Sequence, residues 1–294
     1  MHPLATLEAS LTLPSPLTLF TPSWKGASDV TIWVKRDDAI HPVMSGNKWR
    51  KLSNALREPL PPRIASFGGG FSNHLHALGY ACHQLAIPFT AIIRGNYSAS
   101  PSPMIKDLLM WHSNIEYVDK ATYKKRNDQL YLRDLRERLD NAVIIPEGGS
   151  QHDALLGIKQ MVQEISRPFD VLLTPVASGA TLAGIANALN HKQHAMGVGV
   201  LKGEGYLESL VSQFIDKDRE NWSITHDFHL GGYAKTPAHL RTFCDSFNEL
   251  MPFKIEPVYS GKVFWALKDM LENRRFEKGT RIVVLHTGGL QGAR

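Results

Sequence analysis

From Val30 onward the chain alternates between two periodicities, and few architectures accommodate such a text. Short apolar runs at 30–34, 63–67, 89–94, 115–118, 142–145, 171–174, 197–201 and 282–286 read as strands. Between them apolar residues recur at helical spacing, as in Leu75, Leu78 and Cys82, in Ile158, Met161, Val162 and Ile165, and in Val263, Leu267 and Met270. Strands that are apolar throughout cannot leave one face in water. They predict an α/β fold with mostly parallel sheet covered by helices on both sides. Residues 1–28 carry Pro3, Pro14, Pro16 and Pro22 and read as an extended arm.

With 294 residues there is room for two domains. No fixed-period repeat and no low-complexity linker marks a boundary between them. The net charge of +5 is not concentrated: Lys124-Lys125-Arg126 is followed at once by Asn127-Asp128, a solvated helix face more than a nucleic-acid patch. Cys82 and Cys244 form no CxxC pair, and thirteen histidines are scattered without ligand spacing, so neither a redox pair nor a metal is expected. No signal peptide opens the chain and no apolar run is long enough to span a bilayer, so the reading is cytoplasmic, with no membrane partner.

In sheets of this kind ligands bind where strand C-termini feed glycine-rich turns into helices. Three such turns occur: Ser66 to His74, Pro146 to Ser150, and Thr174 to Thr181. Ser178-Gly179-Ala180-Thr181 ahead of Leu182 suits a phosphate at a helix N-terminus, and equally a plain strand–helix turn. It is neither a Walker loop nor GxGxxG. Ser72 reads as a helix cap or as a functional serine with Asn73 and His74 beside it. Upstream, Ser45 and Asn47 are cap-type residues. A helix starting there puts Lys48, Leu52, Ala55 and Leu56 on one face, with Arg50 off it. A lysine directed inward loses hydration and becomes a base and nucleophile, whereas a first-turn lysine can also snorkel to solvent.

Lys35-Arg36-Asp37-Asp38, Gly46-Asn47-Lys48-x-Arg50-Lys51-Leu52, Ser72-Asn73-His74, Ser178-Gly179-Ala180-Thr181 and Pro257-Val258-Tyr259-Ser260-Gly261-Lys262 occur in that order along the chain. Together they resemble the 1-aminocyclopropane-1-carboxylate deaminase/D-cysteine desulfhydrase family, pyridoxal-phosphate enzymes of the tryptophan-synthase-β-like fold (fold type II). The resemblance spans about Val30 to Gly289. It implies two helix-covered sheets, with a small domain at 53–157 inserted into a large one made of 1–52 and 158–294. It further implies a homodimer acting on a small amino acid. Lys48 matches the lysine that carries the cofactor covalently, and Lys51 a second lysine near its phosphate. Ala177, Ser178, Gly179, Ala180 and Thr181 match the phosphate loop, and Asn73 the asparagine beside the cofactor's 3-hydroxyl. Ser72 matches a serine for carboxylate binding and proton transfer, with Asn73 and His74 beside it at the substrate. Tyr233 and Tyr259 resemble the two active-site tyrosines, and Ser260 stands at the position facing the pyridine nitrogen. The chain departs from the family pattern at Ser45, where a second glycine is usual, and at Glu147, ahead of Gly148-Gly149.

The reaction this resemblance implies is a β-elimination that yields a 2-oxo acid and ammonia, with Lys48 as general base. A neutral Ser260 hydroxyl donating to an unprotonated ring nitrogen favours a D-cysteine-like substrate over cyclopropane ring opening, because ring-opening members carry a glutamate there. Two other classes are open at this level. A serine hydrolase on Ser72 lacks the Gly-x-Ser-x-Gly elbow. A relative that binds the cofactor or a phosphorylated metabolite without turnover would share every motif.

Overall fold

In the computed structural model, which describes residues 3–290, ten strands form two sheets. The strands are β1 (Leu17–Leu19), β2 (Thr31–Lys35), β3 (Ile64–Gly69), β4 (Phe89–Arg94), β5 (Asn114–Val118), β6 (Val143–Ile145), β7 (Val171–Val176), β8 (His194–Gly199), β9 (Trp222–Thr225) and β10 (Arg281–Leu285). One sheet has the order β1-β2-β10-β7-β8-β9 and the other β5-β4-β3-β6. Every pairing is parallel except β1 on β2, an edge pair with Leu17 opposite Lys35. Ile282 to Leu285, in the middle of the larger sheet, are all buried, as strands covered on both faces must be.

Among the described residues eleven helices cover the sheets: α1 (Pro3–Ala9), α2 (Asn47–Leu52), α3 (Asn73–Gln84), α4 (Pro103–Met110), α5 (Lys120–Lys124), α6 (Gln129–Arg138), α7 (His152–Gln163), α8 (Ala180–Ala188), α9 (Tyr206–Ser212), α10 (Ala238–Leu250) and α11 (Ser260–Glu272). Each sheet has its own apolar core. Leu75, Leu78, Ile93 and Ile105 belong to that of the smaller sheet, and Val34, Phe264, Leu267 and Ile282 to that of the larger. Among the described residues no helix is long and apolar enough to cross a membrane.

The extended arm expected at 1–28 is only partly extended. Pro3 opens a helical turn over 3–9, where proline lacks only an N–H that a first turn leaves unused, and Leu7 is buried. β1 then pairs at the sheet edge. The strand expected at 197–201 starts earlier, at His194, because Met196 and Gly197 pair with Leu173 and Thr174 of β7.

The run Lys35-Arg36-Asp37-Asp38 is a structural knot. Arg50 grips both oxygens of Asp37, with Nη2 at 3.0 Å and Nε at 3.2 Å, and reaches Glu164 at the C-terminus of α7 at 2.7 Å through Nη2. Lys35 Nζ donates to Glu164 Oε2 at 2.6 Å and to the Ser15 carbonyl at 2.7 Å, while Ser15 Oγ donates to Asp37. Two cations and two carboxylates balance in a region where Lys35 and Asp37 are fully buried. Arg50 does lie off the apolar face of α2, but it turns into this cluster and is itself buried.

Candidate active site

α2 is short and begins differently from the capping expectation. Its N-cap is Gly46, with φ +71° and no side-chain cap, and the Thr287 carbonyl occupies the place a β-carbon would take. Ser45 and Asn47 therefore do not cap the helix. Asn47 instead donates from Nδ2 to Thr181 Oγ1, 3.0 Å away in the first turn of α8. Lys48 is half-buried, and burial brings its amine down to about 8 while Glu147 pulls the other way. At that value roughly a tenth of the amine is neutral at pH 7, against a few parts in ten thousand for an ordinary lysine.

One turn further, Lys51 is almost fully enclosed, and its Nζ donates to the Gly148 carbonyl at 3.0 Å, Ser150 Oγ at 3.1 Å and Ser178 Oγ at 3.2 Å. Burial, then the neighbouring Lys48, pushes its pKa well down. Among the described residues no carboxylate pairs with it. A buried ammonium held only by neutral oxygens is a charge without a counterion, a costly arrangement that an anion relieves. The hydroxyls around it, Ser150 and Ser178, bond to each other at 2.7 Å and can both turn their protons toward that anion. Gly179, at φ +80°, starts α8 with the Leu210 backbone where a side chain would be, so amides of a nine-residue helix open onto the same spot. This donor set fits a phosphate group, and Lys48 stands one helical turn away for a carbonyl carbon.

Ser72 caps α3: its Oγ accepts from Leu75 N at 3.2 Å, which leaves the hydroxyl proton available. Asn73, half-buried, lies against Gly289 of the loop after β10. Tyr259 and Tyr233 share a hydrogen bond of 2.9 Å between hydroxyls. Burial, then Tyr233, holds the Tyr259 phenol well above its ordinary range, so it stays protonated and serves as a donor. Tyr233 is half exposed and its loop is fixed from below by Lys262, whose Nζ donates to the carbonyls of Val200, His229 and Gly232 at 2.8–2.9 Å.

His74 corrects the expectation of a substrate contact. It is buried under the turn, with Nε2 2.7 Å from Ser66 Oγ. Ser66 gives its proton to the Ile145 carbonyl, so the ring must donate and is the neutral Nε2–H tautomer. Burial, then Lys48 and Lys51, pushes its pKa well down. The same bond commits its Nε2 to Ser66, which speaks against His74 as the base of a hydrolase. Ser260 differs from expectation too, since its hydroxyl is engaged by Glu256 and does not stand free.

Several groups had no role assigned by sequence reasoning: Asn47, Ser150, Glu147 and Lys262. Ser150 and Glu147 lie in the glycine-rich turn at 146–150, so that signal was present. Glu147 accepts from the Tyr123 hydroxyl and from Arg126 Nε, both at 2.6 Å, and its field reaches Lys48 and Tyr259.

The loops after β3, β6, β7 and β10 thus meet around one activated amine and one anion cup, the equipment of an enzyme built to use a phosphorylated carbonyl cofactor. Residues 12–288 match the family described as pyridoxal-phosphate dependent enzymes, and the chain belongs to that family, with pyridoxal 5′-phosphate as its cofactor. A mitochondrial bifunctional D-cysteine desulfhydrase/1-aminocyclopropane-1-carboxylate deaminase of Arabidopsis thaliana is 28% identical over 327 aligned positions, covering 99% of this chain and 80% of the relative. A solved ACC deaminase homologue superposes with a TM-score of 0.79 at 24% identity, covering all of this chain and 97% of the other. A hydrogen sulfide-producing enzyme from Fusobacterium nucleatum superposes at 0.65 with 14% identity, covering 95% and 96% of the two chains. These likenesses establish fold type II architecture.

Proposed function

We propose that this protein is a lyase that removes a β-substituent and ammonia from a small amino acid, with a D-cysteine-like substrate as the first choice. The observation that carries the reading is Lys48, an amine brought down to about 8 in a cleft that also holds a hydrogen-bonded tyrosine pair. An α-proton needs a base, and a departing β-group needs a proton donor. The cofactor supplies the electron sink for the α-carbon. Lys51, Ser150 and the 177–181 loop would hold its phosphate, Lys48 its carbonyl carbon, Asn73 its 3-hydroxyl side, and Ser260 its pyridine nitrogen. Ser72 orients the substrate carboxylate, Lys48 takes the α-proton, and Tyr259 with Tyr233 protonates the leaving group. The balance is amino acid plus water giving 2-oxo acid, ammonia and the protonated β-group. On this reading 53–157 is a small domain inserted between 1–52 and 158–294, and the enzyme is a cytoplasmic homodimer, for which light scattering is the check.

A second reading, cyclopropane ring opening, is favoured by the buried carboxylate of Glu256 behind Ser260. The discriminating assay compares sulfide release from D-cysteine with 2-oxobutanoate release from aminocyclopropane carboxylate. The expected result is the higher kcat/KM on D-cysteine. Faster ring opening by the wild type would overturn the substrate choice, and ammonia from neither these nor any D- or L-amino acid would leave a cofactor binder without turnover.

A further inference from the structure

The Ser260 hydroxyl sits in an asymmetric environment. Its Oγ accepts from Glu256 N at 2.9 Å. Both protein acceptors within its reach also belong to Glu256, the carboxylate Oε1 at 3.1 Å and the main-chain carbonyl at 3.3 Å. A serine hydroxyl has one proton and two lone pairs. With the proton turned to Glu256 and one lone pair filled by the Glu256 amide, what is left is a single lone pair. The Glu256 carboxylate is fixed in its turn by the N–H groups of Val258 (2.7 Å), Tyr259 (2.9 Å) and Ser260 (2.8 Å). Burial raises its pKa above the ordinary range, and these amides work against the rise. Three main-chain N–H groups converge on it, and donors of that kind favour the ionised carboxylate.

We infer that Glu256 is a positioning residue that makes Ser260 a hydrogen-bond acceptor, so the pyridine nitrogen opposite it is held in its protonated form. The inference rests on the placement of Ser260 at that nitrogen under the proposed function. It reverses what a lone serine implies, because the hydroxyl relays the pull of a buried carboxylate one bond away. A protonated ring is the stronger electron sink, which widens the set of carbanions the site can tolerate.

The experiment reconstitutes the protein with pyridoxal phosphate labelled with ¹⁵N in the ring and follows the ring nitrogen by NMR against pH. The wild type is expected at the protonated position through neutral pH. Glu256→Gln loses the negative charge behind Ser260, and its ring proton is expected to leave about one pH unit lower, with cofactor content unchanged. Ser260→Ala, which removes the relay but keeps the Glu256 carboxylate and the three amides that hold it, is expected to move the same way, so the idea stays testable if Glu256→Gln folds poorly. An unprotonated wild-type ring at neutral pH overturns the inference, and so does a titration that neither variant moves. A protein that takes up no cofactor shows no bound ring signal at all, which instead overturns the reading beneath it.

Discussion

Replacing Lys48 with methionine is expected to lower turnover by three to four orders of magnitude, on the order of what a positioned proton-transfer group contributes. In the wild type, borohydride reduction is expected to fix the cofactor on Lys48, and in the variant it fixes nothing. The same substitution is expected to raise the melting temperature of the cofactor-free protein by about 2–4 °C at pH 7. The wild-type amine has a folded pKa of about 8 against 10.5 for the free side chain. Below about 8 it is protonated in both states and the folded protein carries the full desolvation cost. Between 8 and 10.5 the unfolded chain binds a proton that the folded one has released, so wild-type stability climbs with pH. The gap between variant and wild type therefore narrows as pH rises through that window. Methionine also removes a charge that bears on Lys51. Two observations would each defeat this account: wild-type turnover in the variant, or a variant no more stable than wild type at neutral pH.

Glu164→Gln is expected to be the most damaging change away from the cleft. It leaves Lys35 and Arg50, both buried, facing Asp37 alone. Removing one partner of a buried ion cluster costs about 3–5 kcal/mol, because two buried cations are then left with a single carboxylate. Arg50 belongs to α2, so the loss also loosens the helix that presents Lys48. Burial raises the Glu164 carboxyl, but Arg50 and Lys35 more than offset it and the net pKa is below 4.5. Its contribution is thus present above the unfolded pKa and is lost as pH falls through the folded value, making the wild type acid-labile there. Urea unfolding of wild type, Glu164→Gln and the exposed control Glu8→Gln measures this. A loss below about 1 kcal/mol, as for a surface pair, would contradict it.

The alternation of periods made the two-sheet plan legible, because strands such as 282–286 are apolar at nearly every position and leave only a covered parallel sheet. β1 and β9 were not legible, being three and four residues of edge strand with partly exposed side chains. α5 and α6 escaped for a related reason: they bury only Tyr123 and Leu135, too few to draw a stripe. In the site, helical spacing offered an inward Lys48 and left a solvent-reaching one open. The direction of Arg50 did not follow from it, since its partners lie 13 and 114 residues away along the chain. His74 was read by its neighbours in sequence, Ser72 and Asn73, whereas its bonding partner Ser66 sits on the strand below. Glu256 and Ser260 are four residues apart in the text, yet only the folded turn shows that the two side chains bond to each other.

Lys51 fastens two structures that share no strand. Its ammonium reaches Gly148 and Ser150 after β6 of one sheet and Ser178 after β7 of the other. A phosphate seated there would draw the same three groups inward and replace a thin cationic bridge with a many-armed anionic one. The cofactor is then a mechanical part as well as a chemical one, a rivet through the seam. Loading it should stiffen the whole molecule against proteases that exploit the opening of that seam.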